Sequence, residues 1–490
     1  MGNIFGSNYR VNEASNSGSG ESRGSRKRKL EEDSDSSSSS QEMNDELLNT
    51  PRKKRIKSTS KYIYKTLFQD EENSDITIKT LGKDWKLHKL YLKQSPYFSS
   101  MFSGSWKERD MDEIAIDIAD DNIDQESLKI VLGSLYKDDI FIKPVQIVGV
   151  VATATMFQMD GVIQQCLSMM AETLSACTVC TYYRVCQAYG LNEMGTTCMN
   201  WLTRNFLCCD KIDFIKDIDL DLMSMIISSP QLFVIQMEID IYTLLKRWIF
   251  LQQNPTWSGE YKDILKDASK YLQKVANENS TCYLATDEGK QYLSLFTHIR
   301  WHYVINDITG LKMIENDKVL PMNYLDPVIM FGWRKVLSVE QGHDEGPSEE
   351  ISEAVFNENC VRCGRILLKD SDYCWRWMGY NYGFDLLVVI VNRVLSVKRN
   401  THTETYPRSV SLQASRHLCY RITLSSVDAD GKEIYKKSTG IKRIVLGKNE
   451  EDIALMIDLK QKFPIAVSMN VLFLKPSEDD PIPKLKLPDR

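Results

Sequence analysis

No apolar run in this 490-residue chain is long enough to cross a bilayer. The longest, such as Leu386 to Val391, fall far short of the ~20 residues a membrane helix needs. The first residues are polar rather than a basic patch followed by an apolar stretch, so no secretory leader is expected. The twelve cysteines then read as reduced thiols of an intracellular protein rather than as a disulfide framework. A phosphate-cradling glycine loop, a nucleophile elbow and a paired-carboxylate motif are also lacking. The six histidines, His88, His298, His302, His343, His402 and His417, show no metalloprotease spacing, and His88 reads as a hydrogen-bonded core residue. Without a nucleophile beside a base, catalysis is not expected, and no cofactor is called for.

Metal chemistry gets only half its ligands. Cys360 and Cys363, with Cys374 and His343 nearby, offer one knuckle of a zinc site. A structural site needs four ligands, usually as two such knuckles, so no metal is expected. Residues 1–60 hold 11 Lys+Arg against 9 Asp+Glu, leaving 50 against 58, or −8, for the rest. The folded part is mildly acidic and carries no basic footprint for nucleic acid. Hydrophobic content of 42% and a length well beyond one core predict a globular protein of about three domains.

What is present starts with a tail. Residues 1–60 are rich in Ser, Gly, Asn and charge and are expected to stay disordered. Two basic clusters stand in it: Arg26, Lys27, Arg28 and Lys29, then Arg52, Lys53, Lys54 and Arg55. Such runs are read by nuclear import receptors; a solvated charge run is the competing reading. The start, Met1-Gly2-Asn3-Ile4-Phe5-Gly6-Ser7, approaches a signal for acylation of Gly2 but has Gly6 where Ser or Thr is usual. One acyl chain with a basic segment would suffice for membrane attachment.

The stretch from Asp75 to Glu108 alternates at Ile76 and Ile78, turns at Gly82 and alternates again at Trp85 and Leu87, which predicts a hairpin. Two helical segments follow, the second opened by Ser95 as cap and Pro96 in the first turn. With Asp75, His88, Lys89, Leu92, Ser95, Tyr97, Phe98, Met101 and Phe102 at these intervals, the stretch resembles the BTB/POZ domain. The leading segment Tyr62 to Phe68 is then a dimerisation helix. Glu113 to Ile118 reads as a strand, Asp124 as a helix cap, and Pro144 as the start of another helix, giving residues 61–175. The resemblance implies homodimerisation. It also gives meaning to Trp106-Lys107-Glu108, because BTB domains that bind cullin-3 carry an apolar residue, any residue, then Glu in this loop. Trp106 is the anchor and Glu108 the acid, with Met101 and Phe102 as neighbours; a plain surface loop is the competing reading.

Residues 176–340 carry helical spacing throughout. Cys186 to Leu191, Trp201, Leu202, Asn205 and Phe206, then Leu222 to Trp248, resemble the BACK domain that follows BTB in ubiquitin-ligase adaptors. Beyond about Ala354 the period changes to that of strands, at 386–391, 420–424, 444–446, 455–457 and 468–474, with a turn signal at Asp430-Gly431. An antiparallel sandwich over 350–480 is expected. It lacks the Gly and Trp-Asp punctuation of propeller blades. The segment Tyr373 to Leu387 resembles the corresponding region of the germ cell-less family, and its aromatics read either as core or as a partner surface.

The fold class is thus α+β multidomain: a disordered tail, a BTB/POZ domain, an all-helical BACK-like domain and a mainly-β sandwich. The resemblance implies a cullin-3 ubiquitin-ligase adaptor that captures a protein substrate through the C-terminal domain, in germ-cell development. The rival is a cullin-independent nuclear-envelope scaffold or transcriptional corepressor. Both place the protein in the nucleus, with direct nucleic-acid binding disfavoured.

Overall fold

The computed structural model describes residues 58–103, 107–137, 140–305, 308–340, 347, 351–379, 384–399, 415–448 and 450–474. The tail with its basic clusters and Gly2 lies outside them, as does all of 341–350 but residue 347.

The leading segment is a helix, Thr59–Ile63 (α1), continued by a π-helical turn at Tyr64–Gln69. The predicted hairpin follows as Ile76–Thr80 (β1) and Lys83–Leu87 (β2), antiparallel, with Ile76, Ile78, Trp85 and Leu87 all buried. Its two-residue turn needs positive φ at both positions, met by Leu81 and by Gly82. Glu113–Ala115 (β3) adds to β1 in parallel. It is shorter than the alternation predicts: it ends at Ala115, so that Ile116, though buried like Ile114, and Ile118 both lie beyond it.

Lys89–Leu92 (α2) and Pro96–Ser103 (α3) pack on this sheet. Gln125–Ser134 (α4) starts where Asp124 Oδ1 accepts from Ser127 N at 2.7 Å. Pro144 opens a short 3-10 turn ahead of Ile147–Met156 (α5), followed by Asp160–Glu172 (α6).

The helical middle is built from Val179–Tyr189 (α7), Asn192–Asn205 (α8), Ile212–Lys216 (α9), Leu220–Ser228 (α10), Ile239–Gln253 (α11) and Ile264–Glu278 (α12). Shorter pieces, Leu293–Phe296 (α13) and Trp301–Val304 (α14), lead to Ile308–Asp317 (α15) and the long Met322–Glu340 (α16). One apolar core runs without a break from Phe68 to Leu325. Within it, Lys246 Nζ meets Asp317 Oδ2 at 2.5 Å, and Tyr242 donates to the same oxygen at 2.9 Å.

Among the described residues, one helix, Glu353–Asn359 (α17), falls inside the region read as β. The remainder is a sandwich of two antiparallel sheets. One runs β10-β8-β12-β4, from Lys442–Gly447 (β10), Ser415–Val427 (β8), Ile465–Leu474 (β12) and Val361–Leu367 (β4). Glu433–Ser438 (β9) pairs with the second half of β8, and β10 with the first. The other sheet runs β11-β7-β6-β5, from Glu451–Met456 (β11), Val394–Arg399 (β7), Phe384–Val391 (β6) and Tyr373–Gly379 (β5). Val388 and Val397 of one sheet share a core with Ile422 and Val467 of the other. Strands β4, β5, β7 and β9 have no counterpart in the strand assignment from sequence. Strand β6 begins at Phe384, two residues earlier than Leu386.

The sandwich is fastened to the helices along β4. Arg362 reaches out of β4 to Glu238, with Nε to Oε1 and Nη2 to Oε2 both at 2.8 Å. Its remaining Nη1 donates to the carbonyls of Ile227 at 2.6 Å and Ser229 at 3.1 Å. Arg300 donates to the same Glu238 at 3.3 Å and to the carbonyl of Asn357 at 2.6 Å. Glu238 is fully buried and Arg362 is 1% exposed. Two residues along β4, Gly364 N donates to Gln236 O at 3.1 Å, so close that an added Cβ would lie 1.8 Å from Val234 O. Only glycine permits that approach.

Two outcomes are expected here. Arg362→Met should cost about 3–5 kcal/mol by stranding a buried carboxylate, and Gly364→Ala should loosen the same seam. Both effects are checked by hydrogen exchange of the β4 amides. His302, beside this seam, is pushed down to about 4, first by burial, with Arg300 and Lys335 adding to the effect against Glu238. Below about pH 6.5 the unfolded chain takes up a proton that the folded one refuses, so stability falls as the pH drops toward 4. The loss is at most about 3 kcal/mol, and His302→Gln should flatten a melting-temperature profile between those limits.

Candidate functional site

The sequence points to the end of α3, and the structure gives that helix a firm base. Ser95 is fully buried; its Oγ donates to Phe157 O at 2.7 Å and accepts from Phe98 N at 3.4 Å. Phe98 packs on Phe157 with ring centroids 4.9 Å apart and on Phe102 at 6.1 Å. Phe102 is therefore a core residue, 5% exposed. Its side chain holds the helix down and offers no surface to a partner, which corrects its place among the contact residues. Met101, one residue earlier, is half-buried at the rim. Trp106 lies outside the described residues, and Glu108 falls in the 3-10 turn Lys107–Asp110. Phe102 is thus a buried support, Met101 a rim residue and Glu108 part of a short 3-10 turn.

The base of the site is set by two polar residues of the same stretch. Asp75 Oδ1 accepts from Lys89 N at 2.7 Å, satisfying an orphan donor at the start of α2. His88 is buried, with Nδ1 3.1 Å from the Tyr136 hydroxyl and Nε2 2.9 Å from Glu72 O. Both ring nitrogens are engaged in structure. Burial pushes the Tyr136 hydroxyl well above its ordinary range. On the outer surface, Tyr62 of α1 and Leu90 of α2 are exposed at 62% and 76%, and α1 buries none of its residues.

A BTB/POZ domain profile matches residues 64–174. Human germ cell-less protein-like 1 is 44% identical over 434 residues, covering 88% of this chain and 84% of its own length. The chain belongs to the germ cell-less family. The fruit-fly (Drosophila melanogaster) protein germ cell-less is 34% identical over 449 residues, covering 87% of this chain and 79% of its own. A more distant relative is Kelch repeat and BTB domain-containing protein 8 of the rat. It is 26% identical over 192 residues, 39% of this chain and 32% of its own length. In this germ cell-less family chain the region beyond the helices is the β-sandwich described above.

The remaining sequence candidates resolve into structure. Cys360 and Cys363 are buried in two different clusters: Cys360 with Phe356, Cys419, Leu472 and Leu474, and Cys363 in the sandwich core. Burial pushes both thiols up, away from the thiolate that binds metal. Cys374 sits exposed on β5, and His343 lies outside the described residues. Among the described residues, no three His, Cys, Asp or Glu side chains converge as a metal site. Trp375 is 7% exposed and packs on the half-buried Trp377 at 5.7 Å, both against the sandwich core. Tyr380, Asn381, Tyr382 and Gly383 lie outside the described residues.

Sequence reasoning missed how the helices hold the sandwich. Trp201 Nε1 donates to Asp430 O at 3.0 Å and Asn205 Nδ2 to Gly431 O at 2.8 Å, while Arg204 pairs with Glu433 at 2.5 Å. The turn signal at Asp430-Gly431 is thus a docking point as well as a hairpin. The available clue was that a helix-face Asn and Trp stand four residues apart, one turn of helix.

Ser95→Ala should cost about 1–2 kcal/mol, losing a cap and leaving the Phe157 carbonyl without its donor. Faster exchange of the amides at 96–103 checks it.

Proposed function

We propose that this chain is a non-catalytic adaptor that dimerises through its BTB domain, engages cullin-3, and presents a protein substrate for ubiquitination through its C-terminal sandwich. The observation that carries the reading is the position of residues 101–108. Met101 lies near the end of the second helix of the matched BTB domain and Glu108 in the 3-10 turn that follows; by resemblance to BTB proteins that bind cullin-3, an apolar residue, a spacer and Glu at this point of the sequence would form the binding loop. Trp106 would supply the apolar anchor, Glu108 the orienting charge and Met101 a contact at the rim, with Phe102 as support from below. An aromatic anchor beside a charge is how a small interface gains most of its energy.

Dimerisation is supported by the leading helix. It buries none of its own residues and leaves Tyr62 outward, as expected of an element that covers a second copy. The BACK-like helices would set the reach between the two ends. The seam at Glu238 favours a fixed distance over a swinging arm, and two fixed arms in one dimer would add avidity for a substrate with two epitopes. The family name supports a role in germ-cell formation. Nuclear localisation, with nuclear-envelope or transcription-regulating proteins as further partners, rests on Arg26 to Lys29 and Arg52 to Arg55. Membrane attachment rests on Gly2.

The test is a pull-down of the purified chain with the N-terminal half of cullin-3. The native protein is expected to bind, and the Trp106→Ala, Glu108→Ala variant, still dimeric, to lose at least tenfold in affinity. Absence of binding by the native chain would overturn the adaptor reading and leave a cullin-independent scaffold.

A further inference from the structure

Helix α16 turns apolar residues the wrong way for a helix at a surface. Its inner face is formed by Leu325, 1% exposed, with Gly332 and Lys335 also buried and Ile329 against the main core. At 100° per residue Met330, Leu337 and Pro327 lie about 120–160° around the helix from Leu325, and Trp333 lies about 80° around, at the edge of that outer face. Met330 is 52% exposed, Trp333 53% and Leu337 41%. Tyr324 and Phe331, at 47% and 44%, widen the stripe on one flank. A surface helix ordinarily gives this face to polar residues, and contiguous exposed apolar side chains mark an interaction surface.

The charges on the stripe say what covers it. Asp326 stands one turn before Met330 and Arg334 one turn after, both exposed, and neither is in an ion pair among the described residues. Each lies about 6 Å along the axis from Met330, at 1.5 Å per residue. In an antiparallel pair with its two-fold axis at Met330, Asp326 of each copy falls level with Arg334 of the other, within reach of the long arginine side chain. A parallel pair would set Asp326 beside Asp326 and Arg334 beside Arg334. The face is therefore self-complementary in one orientation and self-repelling in the other.

We propose that this face of α16 binds the same face of a second copy of the chain, antiparallel about Met330. The contact is isologous, so it closes on itself as a pair. A stripe of this size stays below the ~1,200 Å² of a standard stable interface, which makes the pairing weak and concentration-dependent. It is separate from the BTB domain. A chain that also self-associates through BTB then has two different two-fold contacts, which alternate and link dimers into tetramers and longer assemblies.

The test is sedimentation equilibrium of the full chain across a concentration series, with circular dichroism and the melting temperature as folding controls. The native chain is expected to add an association step above the first. Met330→Glu with Trp333→Glu, both on the exposed face, should abolish that step and leave the first intact. Asp326→Arg alone and Arg334→Asp alone should each weaken it at least tenfold, and the two exchanges together should restore it. The proposal is overturned if the native chain shows one association step only, or if the double glutamate variant associates like the native chain. It is equally overturned if the combined exchange stays as weak as the single ones. A defect of the glutamate variant confined to binding a foreign amphipathic helix, with the assembly mass unchanged, would assign the face to another protein.

Discussion

The architecture depends on one buried carboxylate. Glu238 stands at the start of α11, fully out of water, and takes both prongs of Arg362 from β4 and a further bond from Arg300. Burying such charges carries a desolvation cost that Coulomb attraction alone recovers only in good geometry. Here the geometry is bidentate, and the guanidinium protons left over go to carbonyls of Ile227, Ser229, Asn357 and Glu358. A network so fully satisfied specifies one arrangement, because any slip of the sandwich against the helices would leave several of these groups buried and unpaired. The close approach at Gly364 follows from the same seam.

That constraint bears on the adaptor reading. A protein that positions a partner relative to a second partner needs its two ends held at a fixed separation. The seam at β4 and the grip of Trp201, Arg204 and Asn205 on the β8–β9 turn act at two places on the sandwich. Two attachments resist rotation where one would act as a hinge. The BTB domain and the helical middle share one continuous core, which extends the rigid body to the end of α3.

Polar residues of the BTB stretch show why single positions in it carry so much sequence signal. Asp75 closes the start of α2, His88 ties two loops through both ring nitrogens, and Ser95 both caps α3 and holds Phe157. Each answers a backbone group at a helix end or in a loop, and at Ser95 that group is buried. The result is a firmly held α3, whose last turn has Phe102 locked in the core.

Local physics made much of this legible in the sequence. Period-two alternation and a Gly at positive φ gave β1 and β2; Ser95, Asp124 and Pro144 marked helix starts because capping chemistry is local. The family resemblance rested on such spacings. Strands β4, β7 and β9 escaped for a physical reason: their residues do not alternate by hydrophobicity. In β5 Tyr373, Trp375 and Trp377 do alternate with the exposed Cys374 and Arg376, and that signal was passed over. In β4 an arginine points inward to a carboxylate 124 residues earlier in sequence. In β9 no residue is buried. Cys360 and Cys363, a spacing that resembles a metal knuckle, part into separate clusters because Cys360 closes α17 while Cys363 lies in β4 and faces the sandwich core. The sequence determined the BTB domain, the β1–β2 hairpin and the helix starts marked by Ser95, Asp124 and Pro144, which depend on neighbours a few residues away. Only the tertiary structure decided which charges meet, which aromatics are core and which face of α16 is left to solvent, because these depend on residues brought together from distant parts of the chain.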